Sequence, residues 1–382
     1  MGKDIPLGRI AGIKVSMDLT VVLLAGFYTF YLANDQFPAG APGLSTTAYW
    51  LAGVSGALLF FGSLLVHEMG HALVARDEGI GVRGISLWLL GGVAKLESAP
   101  TTARSELRIA VIGPVASLAC GVVFLVGSYT LPSGGVPGLI GVLFFILGYL
   151  NVVLAIFNLL PASPLDGGTV LSAIIWRRTG SQATGMKWAA RTGVVAGAGL
   201  VVLGLWVVRG DGPLRTNGYS LLLVGGFVLF AAIRSVRSVP LYELLDGSTV
   251  ADAMAPSPPT AAAWMTVGAF LRTLPAGTTH QAYPVLGEHG RAVGLLTASA
   301  VRAVPPEQWD HLGVADLAFP LDRITIVRPD EALLPAVQKI DGGDIRDGLV
   351  VGPDGTIVGT VDAAALFRTM ELRKADLATA HS

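Results

Sequence analysis

Long apolar stretches separated by short polar segments fill the first 240 residues of the chain. A helix needs about 20 mainly apolar residues to cross the hydrocarbon core of a bilayer. By that measure the pattern predicts spans at about Met17–Ala33, Tyr49–Arg76, Glu106–Leu131, Gly138–Leu160, Arg191–Val208 and Tyr219–Ile233. Residues 1–240 are therefore expected to form a polytopic α-helical membrane domain with about six transmembrane helices.

Two shorter segments of this half have a β pattern instead. Within Ile80–Glu97, two β-prone runs flank Gly91 and Gly92, and they predict a β-hairpin. Apolar residues at positions 10, 13 and 15 indicate a short strand before the first helix. A small β-hairpin or sheet is thus expected beside the helices.

The density of charged residues differs between the two parts of the chain. The whole chain is 52% hydrophobic and 14% charged, whereas soluble domains carry about 25% charged residues. Charges become denser after Pro240, which predicts a soluble module behind the membrane domain. The net charge of −1 provides no general attraction to nucleic acid, so no nucleic-acid partner is expected.

Lysine and arginine are concentrated in alternate connections between the predicted helices. They precede the first helix, lie between helices two and three and between four and five, and follow the sixth. With six crossings all these segments fall on one side, and the positive-inside rule makes that side cytoplasmic. The sequence therefore predicts a multi-pass protein of the cell membrane with both termini in the cytoplasm.

The second predicted helix contains His67-Glu68-Met69-Gly70-His71. Residues four apart share a helix face, so both imidazoles can bind one zinc ion, and the glutamate can act as general base. A chance HExxH on a soluble helix is the alternative. The membrane location disfavours it, because buried ionisable groups are costly there without a function.

The segment Asn158–Gly168, NLLPASPLDGG, offers a third ligand. Pro161 and Pro164 disfavour a continuing helix, and Gly167–Gly168 would let the chain turn sharply behind Asp166. Catalytic zinc sites usually have three protein ligands and a water, so Asp166 is the candidate third ligand. Its alternative role is to accept hydrogen bonds within a turn.

Asn158 lies about one helical turn before this break. Its amide could donate a hydrogen bond to a substrate carbonyl or to the oxyanion that develops there, which makes it a candidate substrate-binding residue. An interhelical hydrogen bond is the alternative.

Two similar segments follow Pro240, about 64 residues apart. Val250–Met254 corresponds to Val314–Ala318, and in each segment two β-prone runs flank a turn, at Glu288–Gly290 and Pro353–Gly355. Each segment has the order helix, strand, strand, helix. Residues 241–305 and 306–382 are therefore expected to be two α/β repeats, the second with a tail.

The two metal motifs, in this order and within membrane helices, resemble those of the site-2 proteases, which are intramembrane zinc metalloproteases. The similarity covers the first 240 residues and includes Gly113–Pro114. It implies a Zn²⁺ ion ligated by His67, His71 and Asp166, with its water activated by Glu68. It also implies that a substrate segment unwinds and pairs with an edge strand near the hairpin.

The C-terminal repeats resemble a tandem CBS pair, a regulatory module that often binds adenine nucleotides. That family often has a ribose-binding aspartate three residues after the Thr or Ser of a Gly-x-x-Thr turn. Here Ala300 and Ala365 occupy those positions, and Asp362 replaces the threonine of the second turn. These differences argue against nucleotide binding and leave a homodimerisation module as the alternative.

Together these features predict an intramembrane zinc endopeptidase that cleaves a membrane-anchored or membrane-adjacent protein, as in regulated intramembrane proteolysis. Its expected partners are that protein and the lipid bilayer, and the CBS pair is the expected regulator. A CBS-regulated transporter or channel is the alternative, since intramembrane charges and broken helices also occur there. A transporter has no need of Glu68 beside two zinc ligands. An inactive metal-binding scaffold is a third possibility.

Overall fold

The computed structural model describes residues 5–88, 91–210, 215–245, 248–275, 280–341, 343, 345–362, 365 and 368–369. Contacts divide the chain into two units. One contains residues 1–96 and 100–240, and the other contains residues 97–99 and 241–382.

Helices form most of the first unit. They are α1 (Leu19–Tyr31), α2 (Phe37–Gly40), α3 (Thr46–Asp77), α4 (Ala103–Thr130), α5 (Gly135–Asn158), α6 (Asp166–Thr179), α7 (Gln182–Arg209) and α8 (Arg215–Leu245). Within the described residues, five helices are long and apolar enough to cross a membrane: α3, α4, α5, α7 and the Asn217–Arg237 part of α8. The polytopic helical architecture is thus confirmed.

The first predicted span is an interrupted helix. α1 is 13 residues long and continues through a π-helical turn, Leu32–Gln36, into α2. Pro38 in the first turn of α2 has no N–H group for the carbonyl one turn back. The backbone N–H of Phe37 instead donates to Leu32 O, five residues earlier, as in a π-helix. The helical path therefore runs from Leu19 to Gly40, although α1 alone is shorter than a span.

Polar residues cap the beginnings of the long helices. Ser45 accepts from Ala48 N before α3, and Thr102 accepts from Ser105 N before α4. Each cap satisfies one of the N–H groups that a helix leaves without a partner in its first turn. α3 and α4 therefore begin at residues that precede the apolar stretches in the sequence.

α6 was not predicted from the sequence, which indicated no helix between Leu160 and Arg191. The helix begins at Asp166 and ends at Thr179, where Gly180 adopts the left-handed conformation with φ 76°. Its acidic first residue, its basic last turn with Arg177 and Arg178, and the glycine that follows are ordinary helix-boundary signals. These signals did not lead to a helix prediction, because two glycines lie in the first turn and glycine is a poor helix former.

A sheet packs against α1 and α3. Its strands are β1 (Ile5–Ile10), β2 (Ile13–Met17), β3 (Val82–Trp88) and β4 (Gly91–Leu96), in the order β1-β2-β3-β4. β2 and β3 are parallel, and the other neighbouring pairs are antiparallel. On one face, alternate residues Ile13, Ile85 and Leu87 are buried in a cluster with Val21, Leu64 and Ala72 from the helices.

The predicted hairpin is confirmed as the antiparallel pair β3–β4, with its connection at residues 89–90 outside the described residues. Gly91 and Gly92 lie within β4, opposite Trp88 and Leu87, so they are strand residues. β4 lies at an edge of the sheet among the described strands. The short predicted strand is really the β1–β2 hairpin, of which the sequence indicated only part.

The second unit alternates short strands and helices. Its first repeat contains α9 (Val250–Ala253), β5 (Ala255–Pro256), β6 (Ala261–Ala262), α10 (Val267–Thr273), β7 (Ala282–Leu286), β8 (Ala292–Thr297) and α11 (Ala298–Arg302). Its second repeat contains α12 (Val314–Leu317), β9 (Phe319–Pro320), β10 (Thr325–Val327), α13 (Leu333–Asp341), β11 (Asp347–Val351) and β12 (Ile357–Asp362). The predicted strand–turn–strand pairs are the antiparallel pairs β7–β8 and β11–β12.

The two repeats exchange short strands. One sheet has the order β6-β7-β8-β9 and the other has the order β10-β11-β12-β5. β9 of the second repeat therefore lies at the edge of the first sheet, and β5 of the first repeat lies at the edge of the second sheet. Separate buried clusters lie against the two sheets, one around Phe270 and Leu296 and the other around Leu333 and Ile340.

Candidate metal centre

Two histidines of α3 point their ring nitrogens at each other. His67 Nε2 and His71 Nε2 are 3.2 Å apart, as expected for residues one turn apart on a helix face. His71 Nδ1 donates to the carbonyl oxygen of Ile109 at 2.6 Å. His67 Nδ1 lies 2.8 Å from Ser117 Oγ. A donated Nδ1–H leaves the lone pair on Nε2, which is the form that binds a metal.

The carboxylate of Asp166 completes a triangle with these nitrogens. Asp166 Oδ2 is 3.1 Å from His67 Nε2 and 3.4 Å from His71 Nε2. Tetrahedral zinc with bonds of about 2.0–2.1 Å separates its ligand atoms by about 3.3 Å. Oδ2 is buried, and no described group donates to it with hydrogen-bond geometry. Three potential ligand atoms that converge at these distances fit a metal ion.

The break after α5 brings Asp166 to this point. α5 ends at Asn158, residues 159–165 are irregular, and Asp166 is the first residue of α6, so the effect of the two prolines is confirmed. The predicted role of the glycines was wrong, because both lie inside α6. A Cβ on Gly167 would overlap the carbonyl oxygens of Leu159 and Leu160. The glycines therefore permit close packing of α6 on the preceding loop, not a turn.

Gly113 of α4 covers the two imidazoles. A Cβ at this position would overlap His71 Nε2 and approach His67 Nε2 at 2.7 Å. Only a residue without a side chain leaves the space between the nitrogens open. The Gly113–Pro114 pair thus lies against the centre, on the same stretch of α4 as Ser117.

Glu68 lies between α3 and the edge strand β4. Its side chain is buried, and a Cβ on Gly92 would overlap its Cγ. The carboxylate also lies beside the backbone N–H of Ala94. β4 therefore covers the residue next to His67, and Gly92 provides the space in which the carboxylate lies.

Asn158 is the last residue of α5 and is partly buried. Among the described residues it makes no hydrogen bond with His67, His71, Asp166 or another helix. Both roles considered for Asn158, substrate binding and an interhelical hydrogen bond, therefore stay predictions.

Two groups at the centre were missed by sequence reasoning, namely the hydroxyl of Ser117 and the carbonyl of Ile109. Both belong to α4, and they orient the two imidazoles from the side opposite the ring Nε2 atoms. Ser117 follows Gly113 by four residues, so both lie on one helix face. That spacing is the signal that could have found it.

A second feature is a cavity of about 430 Å³ in the C-terminal unit, lined by the ends of β7, β11 and β12. Asp347 and Asp362 face each other across the β11–β12 pair. Arg368 pairs with Asp362 through contacts of 2.7 and 3.2 Å. Burial, and then the charge of Asp362, raise the pKa of Asp347 to about 6.

Comparison with known proteins places the chain in a family. The model of peptidase family M50 matches residues 55–138 and 136–200. A Mycobacterium tuberculosis protein named as zinc metalloprotease Rip3 is 34% identical over 372 residues, which cover 97% of this chain and 94% of the relative. The solved site-2 protease of Methanocaldococcus jannaschii is 28% identical, covers 61% of this chain and 95% of its own, and has a TM-score of 0.41. The CBS-pair protein CBSX2 of Arabidopsis thaliana is 20% identical, covers 34% of this chain and 98% of its own, and has a TM-score of 0.30.

The protein is a multi-pass membrane zinc metalloprotease with zinc as its cofactor. It belongs to peptidase family M50, that of the site-2 proteases, and an α/β unit of two strand-exchanging repeats follows the membrane domain in the chain. The transporter or channel alternative is not favoured.

Proposed function

We propose that His67, His71 and Asp166 bind the zinc ion and that Glu68 is the general base of peptide hydrolysis. The observation that carries this is the triangle of Nε2, Nε2 and Oδ2 atoms separated by 3.1–3.4 Å. When bound, zinc acts as a Lewis acid and activates a water molecule. Glu68 accepts the proton of the attacking water and passes it to the leaving nitrogen.

The substrate is a membrane-anchored or membrane-adjacent protein. His67 and Glu68 lie within the α3 span, so the scissile bond must reach them from within the membrane domain. A helical substrate has its carbonyls in backbone hydrogen bonds, and it must unwind locally before attack. The edge strand β4 lies against Glu68, and strand addition there would hold the unwound segment extended beside the base. Asn158 is the proposed donor to the substrate carbonyl.

The protein lies in the cell membrane with both termini in the cytoplasm. This orientation rests on the basic residues at the ends of two helices, Arg76 in the last turn of α3 and Arg177 and Arg178 in that of α6. The metal centre then lies in the cytoplasmic half of the bilayer, where water can reach it.

The CBS pair is the proposed regulator of the protease. Its cavity of about 430 Å³ has the size of a small-ligand site. Arg368 is already paired with Asp362, and Asp347 adds negative charge, so the lining does not favour a polyphosphate. Titration of the full chain with AMP and ATP tests nucleotide binding, and the mass of the detergent-solubilised protein tests the homodimer.

One experiment tests the proposal directly. Purified wild type and Asp166→Ala are assayed for bound zinc and for cleavage of single-span membrane substrates in liposomes. Asp166→Ala is expected to bind zinc more weakly, so that its zinc content after purification and its cleavage activity both fall. Asp77→Ala, which removes an exposed carboxylate at the end of α3, is the control and should keep both. Wild-type zinc content in Asp166→Ala would remove this residue from the metal centre.

A further inference from the structure

The loop that precedes Asp166 is bonded to both α7 and α8. The backbone N–H of Ser163 donates to Ala189 O of α7 at 3.0 Å. The side chain of Ser163 meets that of Ser235 in α8, with 3.0 Å between the two Oγ atoms. Among the described residues, a backbone bond to α7 and a hydroxyl–hydroxyl bond to α8 thus connect this loop to both helices.

Close packing surrounds these bonds. A Cβ on Gly193 of α7 would overlap the carbonyl oxygen of Ser163 and would lie 2.9 Å from Ala232 Cβ of α8. Ala232 is fully buried. The loop, α7 and α8 thus meet with no free space at Gly193, and a displacement of α8 at this level must move the loop or break its bond to Ser235.

Two consecutive hydrogen-bonded turns enclose Ser163 and Asp166. Leu165 N donates to Ala162 O at 2.8 Å, and Gly168 N donates to Leu165 O at 2.9 Å. Ser163 lies inside the first of these turns, and Asp166 lies inside the second. The turn that carries Ser163 is therefore continuous with the first turn of α6, so a shift at one end reaches the carboxylate at the other.

We propose that Ser235 is a positioning residue for the metal centre, which acts through Ser163 to hold Asp166 within reach of the two imidazoles. This inference rests on the proposed function, in which Asp166 is a zinc ligand. It makes α8 the element whose position sets the geometry of the third ligand. Because α8 continues beyond Pro240 to Leu245, the helix that leads to the C-terminal module is the same helix that supports the ligand.

The test measures the rate at which the zinc-loaded full chain, in detergent, loses zinc to a chelator. One neutral hydrogen bond stabilises by an amount that corresponds to roughly a fivefold change in rate. Ser235→Ala and Ser163→Ala are each expected to release zinc roughly fivefold faster, and the double variant no faster than either one. Ser235→Thr keeps the hydroxyl and should restore slow release. Ser220→Ala, an exposed serine of the same helix, is the matched control.

A second background separates positioning from general destabilisation. In Asp166→Ala, reloaded with excess zinc on the two remaining histidines, the third ligand is absent, so adding Ser235→Ala should cause no further acceleration of zinc release. Additive effects in that background, or wild-type release from both single serine variants, would overturn the positioning role. If Asp166→Ala alone releases zinc at the wild-type rate, the proposed metal ligand itself fails. The two failures are thus distinguishable.

Discussion

His67 Nδ1 lies 2.8 Å from Ser117 Oγ, and this contact joins the proposed metal-binding face of α3 to the middle of α4. Both side chains are buried, Ser117 completely. The hydroxyl fixes the rotation of the imidazole, so that Nε2 points at His71 Nε2 and Asp166 Oδ2. Such supporting bonds orient a metal ligand and raise its basicity.

Ser117→Ala is expected to lower zinc affinity by about 10- to 100-fold, the usual effect of losing a hydrogen bond that orients a metal-binding histidine. Competition with a chelator of known affinity measures the change. Ser128→Ala is the matched control, since the hydroxyl of Ser128 donates a hydrogen bond to Leu125 O within the same helix. Equal zinc affinity in the wild type and Ser117→Ala would show that His67 does not need this bond.

Gly113→Ala should abolish zinc binding, because the added methyl group would occupy the space between the two imidazole nitrogens. Metal analysis of the purified variant measures this directly. Gly62→Ala in α3 is the control, since a Cβ there meets nothing within 4 Å. A Gly113→Ala protein with a full equivalent of zinc would contradict the arrangement of α4 against the centre.

Glu68→Gln is expected to retain zinc and to lower the rate of cleavage by at least about 100-fold, since removing a general base typically costs that much. Zinc content and single-turnover cleavage are measured on the same preparation. Glu97→Gln changes an exposed glutamate and should leave both unchanged. Unaltered cleavage by Glu68→Gln would refute the assigned base.

Asp347 should make the C-terminal unit less stable as the pH rises from about 4 to about 6. Its pKa is raised to about 6 in the fold, so the folded state binds the proton more tightly than the unfolded chain, and protonation stabilises the fold. Asp347→Asn stays neutral and should stabilise the unit at pH 7 by about 1 kcal/mol, after allowance for the screening of a partly exposed group, with no gain at pH 4.

Hydrogen exchange of the β11–β12 amides in the full chain, at pH 4 and pH 7 and corrected for intrinsic rates, measures this stability. Asp322→Asn, at an exposed position of the same unit, is the control. Equal protection of wild type and Asp347→Asn at pH 7 would contradict the prediction.

The parts of the site that sequence predicted are those encoded by local spacing. The one-turn separation of His67 and His71 fixes a shared face, and the prolines after Asn158 fix the end of α5. Hydrophobic periodicity also located the long helices and the paired strands of each repeat. These features depend on residues within one or two turns of each other.

The parts that sequence missed depend on how distant elements pack. Ser117 and Ile109 reach the histidines only because one particular face of α4 lies on α3. The apolar stretch of α4 is hydrophobic on every side, so its pattern does not show which face is inward. The exchanged strands β5 and β9 are two residues long, too short for any alternation.

That exchange makes the C-terminal module indivisible. β9 lies at the edge of the sheet of the first repeat, and β5 lies at the edge of that of the second. A chain that stopped anywhere between Arg302 and Phe319 would contain the whole first repeat, but the sheet of that repeat would lack its outer strand. Deletion of the segment around Ala255 would damage the opposite half in the same manner. Each repeat therefore needs the other to complete its four-stranded sheet.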